Sequence, residues 1–302
     1  MNLFQLPSPV EELKSDFLSE HKVQLFVKRD DLIHPEISGN KWRKLKYNIE
    51  EAKRLEKDTL LTFGGAFSNH LIATAVAAKG FNLKSIAVVR GERAEKLSDT
   101  LKECEVNGMQ LHFVSRAVYR EKETVGFLNE LEELFGSFFL VPEGGGNELG
   151  KKGCEEVLSE VNESFDVVCC AAGTGTTAAG LYNSIHREKL FVFPVLKGMD
   201  FEKEEIFSHS EAQSKTEQLH FFKDYHFGGY AKINDELIDF CRTFYASYGM
   251  KLDLVYTAKM FYGIFDLIKK GHFGARDKLL AIHTGGLQGN RGMEKRFNFQ
   301  LF

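Results

Sequence analysis

The stretch from Asp166 to Gly180, DVVCCAAGTGTTAAG, decides the fold class because it joins a buried strand, a glycine turn and the start of a helix. An apolar run of strand length comes first, and the turn Gly173–Gly175 separates it from a helical pattern that begins at Thr176. Continuous apolar strands that lead into helices are typical of parallel sheets covered on both faces. The stretch therefore predicts an α/β protein.

The same alternation occurs along most of the chain. Six further runs have the strand pattern: Thr59–Phe63, Lys84–Val89, Gln110–Val114, Ser137–Val141, Phe191–Leu196 and Lys278–His283. Helical patterns are predicted at Trp42–Leu55, Ser68–Lys79, Ala94–Asn107, Arg116–Phe135, Glu148–Val161, Thr176–His186, Asp235–Tyr248 and Lys259–Lys270. The charged stretch Glu202–Gln218 interrupts the alternation, and we expect a surface excursion or an irregular helix there.

Composition excludes several classes of function. The 302 residues include 39 Lys plus Arg and 43 Asp plus Glu, and the net charge of −4 argues against a nucleic-acid-binding protein. No apolar run approaches the roughly 18 residues of a membrane span, and the first residues lack the pattern of a signal peptide. Five cysteines without a CxxC pair predict reduced thiols in a cytoplasmic protein, and the ten histidines show no metal-ligand spacing. We therefore predict no metal site, no membrane and no nucleic acid.

The turn Gly173, Thr174, Gly175, Thr176 and Thr177 is a candidate anion site, because free N–H groups at a helix start and three hydroxyls can bind phosphate. A plain strand-to-helix turn is the alternative. The pattern also fits a dinucleotide fingerprint, as in a dehydrogenase, but that site needs an acidic residue at the end of the next strand, and the first acid there is Asp200. No Gly-Lys-Ser/Thr follows, which excludes a P-loop. A phosphate monoester fits best.

A second candidate is the basic segment GNKWRKLKY at residues 39–47. Lys41 and Lys44 are three positions apart and share one face of the predicted helix. Cations at a helix N-terminus oppose the helix dipole, so the cluster needs an anion or another reason to be there. A lysine that is partly buried beside other cations has the lowered pKa that an imine-forming amine requires. The alternative is a solvated basic helix start.

The third candidate is the turn GGAFSNH at residues 64–70, between a strand and a helix. Ser68, Asn69 and His70 add polar groups to the N–H donors of the helix start, which favours binding of a carboxylate. The spacing does not match the G-x-S-x-G elbow of a serine hydrolase. Ser68 as an ordinary helix cap is the alternative. Taken singly, Tyr230 beside Gly228 and Gly229, Tyr256 at the start of the last predicted helix, and Thr284 after the last strand read as structural residues.

Together these segments resemble a known family. The order GNKWRKLKY, GGAFSNH, AAGTGTTAAGL, GGY, VYTAK and IHTGG, over residues 39–286, is similar to 1-aminocyclopropane-1-carboxylate deaminase and D-cysteine desulfhydrase. These are pyridoxal-phosphate enzymes of fold type II, with an architecture like that of the tryptophan synthase β subunit. The resemblance implies two domains, each a mostly parallel open sheet flanked by helices. We place the larger at residues 1–43 and 156–302 and the smaller at 44–155. It also implies a homodimer.

The resemblance further implies a role for each matched position. Lys41 would form the imine with pyridoxal phosphate and later act as the base at Cα. Lys44 and Gly173–Thr177 would hold the phosphate, Asn69 the ring oxygen and Thr284 the pyridine nitrogen. Tyr256 would stack on the ring. The substrate carboxylate would bind at Ser68, Asn69 and His70, with Tyr230 over the substrate, so Lys41, Ser68, Tyr230 and Tyr256 are the expected catalytic residues.

Thr257, Thr284 and His70 resemble the desulfhydrase branch, where a neutral partner of the ring nitrogen suffices to expel a good leaving group such as thiolate. The expected reaction is β-elimination from a small amino acid, D-cysteine first, giving pyruvate, ammonia and sulfide. One alternative is the cyclopropane deaminase reaction, which opens the ring to 2-oxobutanoate and ammonia. Another is a non-catalytic protein that binds pyridoxal phosphate or a metabolite.

Overall fold

A computed structural model describes residues 4–37, 39–198 and 213–302. Contacts among Cα atoms divide the chain into two compact units. Unit 1 comprises residues 1–40 and 151–302, and unit 2 comprises residues 41–150. Each unit contains one sheet.

The sheet of unit 1 has six strands in the order β1-β2-β10-β7-β8-β9. These strands are β1 Val10–Leu13, β2 Gln24–Lys28, β7 Val167–Ala172, β8 Lys189–Pro194, β9 Leu219–Phe221 and β10 Lys278–Ile282. All neighbours are parallel except the edge pair of β1 and β2. Successive side chains along a strand point to opposite faces of the sheet. Cys169 therefore packs in one apolar core and Cys170 in the other. Both faces are therefore covered.

The helices of unit 1 pack on these two faces. They are α1 Asp16–Glu20, α8 Thr176–Ser184, α9 Asp235–Tyr248, α10 Thr257–Lys269 and α11 Gly289–Phe297, together with most of α7, Glu148–Ser159. Short 3-10 turns lie at Asp30–Leu32, Gln213–Gln218 and Lys223–His226. The cores hold buried side chains such as Leu25, Phe193 and Phe261, and burial of such apolar area is the main force that stabilises the unit.

Unit 2 has four parallel strands in the order β5-β4-β3-β6. The strands are β3 Thr59–Gly64, β4 Lys84–Arg90, β5 Met109–Val114 and β6 Phe139–Val141. The helices are α2 Asn40–Arg54, α3 Asn69–Gly80, α4 Asp99–Val106, α5 Arg116–Tyr119 and α6 Val125–Phe135, with a 3-10 turn at Glu143–Gly145. In α2, four apolar side chains with the spacing of one helix face are all buried: Trp42, Leu45, Ile49 and Ala52.

The predicted α/β class and the seven predicted strands are confirmed, but several bounds differ. Ser98 accepts a hydrogen bond from Leu101 N, so that helix begins at Asp99 and not at Ala94. Thr124 caps a new helix through Phe127 N, which divides the single helix predicted over 116–135 into α5 and α6. Strand β8 lies two residues earlier than predicted, and β1, β2, β9, α1 and α11 were not predicted.

Other sequence expectations concern burial and single segments. All five cysteines are buried, and none of them forms a disulfide. In the part of the chain that the structure describes, no helix is long and apolar enough to cross a membrane, and no group of three His, Cys, Asp or Glu side chains is placed to hold a metal ion. Of the stretch 202–218, residues 202–212 lie outside the described residues, and Gln213–Gln218 form a 3-10 helix.

Candidate functional site

The glycine turn lies where β7 ends and α8 begins, as the sequence predicts. Gly175 takes the left-handed conformation with φ +79°, and a Cβ atom there would meet nothing within 4 Å. The hydroxyls of Thr174 and Thr176 lie 3.2 Å apart, and Thr176 and Thr177 are buried. Open space beside the N-terminal end of a nine-residue helix, with hydroxyl groups next to it, fits the non-bridging oxygens of a phosphate ester.

Tyr256 contacts this turn. A Cβ atom on Gly173 would lie 2.9 Å from Cε1 of Tyr256, so only glycine leaves room for the ring. The tyrosine immediately precedes α10, and the buried carboxylate of Asp253 fixes that helix start by accepting hydrogen bonds from the N–H groups of Val255, Tyr256 and Thr257 at 2.8–3.0 Å. Asp253 is a residue that the sequence reasoning missed. Its position just ahead of a helix start is the signal that could have found it.

Tyr230 lies near Tyr256 within unit 1. Their ring centroids are 6.1 Å apart with an interplanar angle of 70°, and 48% of Tyr230 is exposed to solvent. The backbone of its turn is held by Lys259, whose Nζ donates to the carbonyl oxygens of His226 at 2.9 Å and Gly229 at 2.7 Å. Lys259 was also missed, although it ends the quoted segment VYTAK.

The chain just before Lys41 is fixed by contacts within unit 1. The side-chain amide of Asn40 donates to Thr177 Oγ1 at 2.9 Å, and its backbone N–H donates to the carbonyl oxygen of Thr284 at 3.3 Å. Gly39 has φ +57°, and a Cβ atom there would lie 1.9 Å from the same carbonyl oxygen. Lys41 is the next residue along the chain.

Thr284 itself is buried and follows β10 in a turn that His283 organises. The N–H of Gly285 donates to Nδ1 of His283 at 3.2 Å, so Nδ1 is the unprotonated nitrogen. The other nitrogen, Nε2, then carries the proton and donates to the carbonyl oxygen of Lys251 at 2.8 Å. The imidazole of His283 therefore fixes the backbone next to Thr284, the residue predicted to meet the pyridine nitrogen.

In unit 2, the basic segment forms the first turns of α2. Arg43 and Lys44 are 2% and 3% exposed, so this is not a solvated helix start. Gly145 has φ +72°, and a Cβ atom there would lie 2.9 Å from Cβ of Lys44. The loop that contains Gly145 is joined to α2 by Asn147 and Asn48, whose side-chain amides exchange hydrogen bonds of 3.2 and 2.8 Å.

The turn 64–70 caps α3 as predicted, because Ser68 Oγ accepts a hydrogen bond from Leu71 N at 3.4 Å. Asn69 is the first residue of that helix and is partly buried. His70 is 2% exposed, and its Nε2 lies 2.8 Å from Thr62 Oγ1. Since the Thr62 hydroxyl donates its proton to the carbonyl oxygen of Val141, His70 Nε2 must be the donor.

The other nitrogen of His70, Nδ1, is then an acceptor, and it has no hydrogen-bond partner among the described residues. Burial, together with the charges of Lys41 and Lys44, lowers the pKa of His70 well below its ordinary value. The ring is therefore neutral. Such a side chain cannot donate to a carboxylate, although the N–H groups of the helix start can.

The structure thus brings the predicted residues together in two groups, each within one unit. In unit 1 these are Gly173, Thr174, Gly175, Thr176, Thr177, Tyr230, Tyr256 and Thr284. In unit 2 they are Lys41, Lys44, Ser68, Asn69 and His70. Asn40 joins the two sets along the chain, because it is bonded to Thr177 and precedes Lys41.

Known proteins are similar in sequence to most of this chain. The profile of the family described as pyridoxal-phosphate dependent enzyme matches residues 2–285. A Pyrococcus horikoshii protein to which 1-aminocyclopropane-1-carboxylate deaminase activity is provisionally ascribed is 31% identical over 96% of this chain and 92% of its own length. The bifunctional D-cysteine desulfhydrase/1-aminocyclopropane-1-carboxylate deaminase of Arabidopsis thaliana is 30% identical over 95% of this chain and 78% of its own.

A solved structure agrees with the sequence comparisons. The crystal structure of an ACC deaminase homologue superimposes with a TM-score of 0.80 and 28% identity, covering 97% of this chain and 94% of the other. The glycine turn, the lysine-bearing helix and the match over nearly the whole sequence lead to one conclusion. The chain belongs to the family of pyridoxal-phosphate-dependent enzymes.

Proposed function

We propose that this enzyme catalyses β-elimination from a small amino acid, with D-cysteine as the preferred substrate. With one water consumed, D-cysteine would give pyruvate, ammonia and sulfide. The observation that carries the proposal is that two matched positions, 257 and 284, hold threonine, whose side chain is uncharged. Thr284 offers a hydroxyl, and Thr257 is fully buried with its hydroxyl donating to Asp253 Oδ1 at 2.8 Å. This pattern resembles the desulfhydrase branch.

The residues that the resemblance assigns to the cofactor belong to both units. Lys41 would hold pyridoxal phosphate through Nζ. Lys44 and Gly173–Thr177 would bind its phosphate, with the open space at Gly175 available for the ester oxygens. Tyr256 would pack on the ring, Asn69 would meet the ring oxygen, and Thr284 would meet the ring nitrogen. When bound, the cofactor supplies an electron-withdrawing ring that stabilises negative charge at the substrate Cα.

The remaining chemistry belongs to the chain's own residues. Ser68 and the N–H groups of Asn69 and His70, at the start of α3, would orient the substrate carboxylate. Because Nδ1 of His70 is an acceptor, the ring would contribute to the polarity of the site and not as a carboxylate donor. Once displaced by the substrate, Nζ of Lys41 would accept the Cα proton. Tyr230 would cover the substrate from its half-exposed turn.

The lysine assignment is tested by borohydride reduction of the purified protein, followed by peptide mapping. We expect the label on Lys41 and its loss in Lys41→Ala, with Lys269→Met as a control on an exposed lysine. Lys259 is the competing site, since burial lowers its pKa to about 8. Its hydrogen bonds to the carbonyl oxygens of His226 and Gly229 favour the protonated amine, which cannot attack the aldehyde of the cofactor. A label on Lys259 would overturn the assignment.

The names of relatives make 1-aminocyclopropane-1-carboxylate deaminase the second candidate function. Keto-acid products separate the two, because D-cysteine gives pyruvate and the cyclopropane substrate gives 2-oxobutanoate. We expect kcat/KM for D-cysteine to exceed that for the cyclopropane by at least tenfold. The reverse order would favour the deaminase, and no keto acid from any small amino acid would favour a binding protein.

The proposal includes a cytoplasmic homodimer and the assignment of units 1 and 2 to the larger and the smaller domain. The resemblance to the family supports both. Light scattering after size-exclusion chromatography tests the dimer, with a mass of twice 34.3 kDa as the expected result.

A further inference from the structure

Lys259 is an unusual residue for its position. It is fully buried in the first turn of α10, where a cation opposes the helix dipole. Burial lowers its pKa to about 8, although the carboxylate of Asp253 acts in the opposite direction. Fully buried lysines are rare because desolvation of the ammonium group is costly. Helix propensity and core packing alone do not account for this one.

The two acceptors of Lys259 lie in one turn, His226–Ala231. Its Nζ donates to the carbonyl oxygens of His226 and Gly229, and these oxygens also accept the N–H groups of Gly229 and Lys232. Each carbonyl oxygen thus accepts one hydrogen bond from a backbone N–H group and one from the ammonium group of Lys259. Charge-assisted hydrogen bonds of this kind are about twice as strong as neutral ones.

The backbone of the turn needs such support. Phe227, Gly228, Gly229 and Ala231 all have positive φ angles, of +52°, +90°, +119° and +52°. For Phe227 and Ala231 the left-handed conformation is unfavourable, because the Cβ atom of each lies too close to the following carbonyl oxygen. A segment with this backbone persists only where its surroundings fix it.

The turn presents Tyr230 to Tyr256, which in turn contacts Gly173. Residues at the start of α10 therefore fix the backbone at both tyrosines. Asp253 fixes the backbone of Tyr256, and Lys259 fixes the backbone next to Tyr230. The ring of Tyr230 is half exposed, so the backbone of its turn is the part of this residue that Lys259 can fix.

We propose that Lys259 is a positioning residue that sets Tyr230 over the substrate by holding the carbonyl groups of His226 and Gly229. The inference rests on the proposed function, because it gives Tyr230 its role there. Lys259 itself touches neither substrate nor cofactor in this assignment.

The first test is amide hydrogen–deuterium exchange of the purified enzyme, which can be measured whether or not the enzyme turns over an amino acid. Lys259→Met keeps the length of the side chain and removes both donors. We expect at least tenfold faster exchange in His226–Ala231 and little change in β7 or β10, whereas the control Lys269→Met should match the wild type. Unchanged exchange in this turn would overturn the proposal.

The second test uses steady-state kinetics and a double-mutant cycle. Lys259→Met should raise KM for D-cysteine about tenfold, change kcat less, and leave the cofactor absorbance intact. In the Tyr230→Ala background the same substitution should change KM less than twofold, because the ring it positions is gone. Equal effects in both backgrounds would assign Lys259 a structural role only.

A third variant covers the case in which Lys259→Met does not fold. Lys259→Gln shortens the side chain and removes the ammonium charge from both hydrogen bonds, so we expect exchange in the turn to be faster than in the wild type. Wild-type exchange together with wild-type KM would overturn the proposal. If no amino acid is turned over by the wild type, the proposed function fails, while the exchange result still decides whether Lys259 holds the turn.

Discussion

Asn40 donates a hydrogen bond from its side-chain amide to Thr177 Oγ1 at 2.9 Å, across 137 positions of sequence. The bond joins the residue before Lys41 to the first turn of α8. Because consecutive Cα atoms are only about 3.8 Å apart, it fixes the backbone from which the lysine projects. It also orients the Thr177 hydroxyl beside the glycine turn.

Replacement of Asn40 should therefore weaken cofactor binding. A neutral hydrogen bond contributes about 0.5–1.5 kcal/mol, so we expect Asn40→Ala to raise the Kd for pyridoxal phosphate roughly fivefold. Absorbance titration of cofactor-free protein measures this. The control is Asn107→Ala, at the partly exposed residue that follows α4. Equal Kd values for the two variants would contradict the role of Asn40.

Alanine at the two glycines of the turn should act in different ways. At Gly175 the positive φ angle makes any side chain strained, and we expect a loss of roughly 1–2 kcal/mol in the free energy of unfolding. At Gly173 the new Cβ would displace the ring of Tyr256, so Gly173→Ala should weaken cofactor binding with a smaller loss of stability. Urea unfolding and absorbance titration separate the two effects, and identical profiles would refute this account.

The neutral, buried ring of His70 predicts sensitivity to acid. Below its ordinary pKa of 6.5 the unfolded chain binds a proton at this residue, whereas the folded protein does not, so the free energy of unfolding falls as the pH decreases. The slope for one proton is about 1.4 kcal/mol per pH unit. His70→Gln keeps a donor for Thr62 and should remove this slope between pH 6.5 and 5, as urea unfolding would show.

Exposed His186 provides the matched control for that measurement. We expect His186→Gln to retain the acid dependence of the wild type. If His70→Gln and the wild type lose stability in parallel on acidification, the buried imidazole is not the group responsible.

Lys259 predicts a pH dependence of the same sign in alkali. Its folded pKa of about 8 lies below the ordinary 10.5, so between these values the unfolded chain binds more protons and stability rises with pH. The burial penalty is fully present below pH 8 and is relieved by up to about 3 kcal/mol toward pH 10.5. Lys259→Met should lose that rise relative to Lys269→Met in urea unfolding at a series of pH values.

Local patterns in the sequence were sufficient for much of the fold. The strands of unit 2 and the cap at Ser68 could be predicted because apolar runs and capping residues act over a few positions. The division at Thr124 was missed because a helical pattern continues across the charged segment before it. The helix predicted over Ser68–Lys79 continues through Gly80, and Asn82 takes the left-handed conformation with φ +57°.

Partners that are distant in sequence could not be predicted in this way. No local pattern shows that Asn48 exchanges hydrogen bonds with Asn147, or that Lys259 reaches back to Gly229. The direction of the His70 proton depends on Thr62 and Val141, which only the folded sheet brings next to it. Motif spacing identified the candidate positions, and tertiary contacts determine their protonation and orientation.

The interrupted chain path of unit 1 has a consequence for biosynthesis. Strand β2, at Gln24–Lys28, leaves the ribosome well before its parallel partner β10, at Lys278–Ile282. Unit 2 is translated completely in between. Co-translational folding should therefore complete unit 2 first, while β2 waits for its partner and depends on chaperones or transient contacts to avoid aggregation.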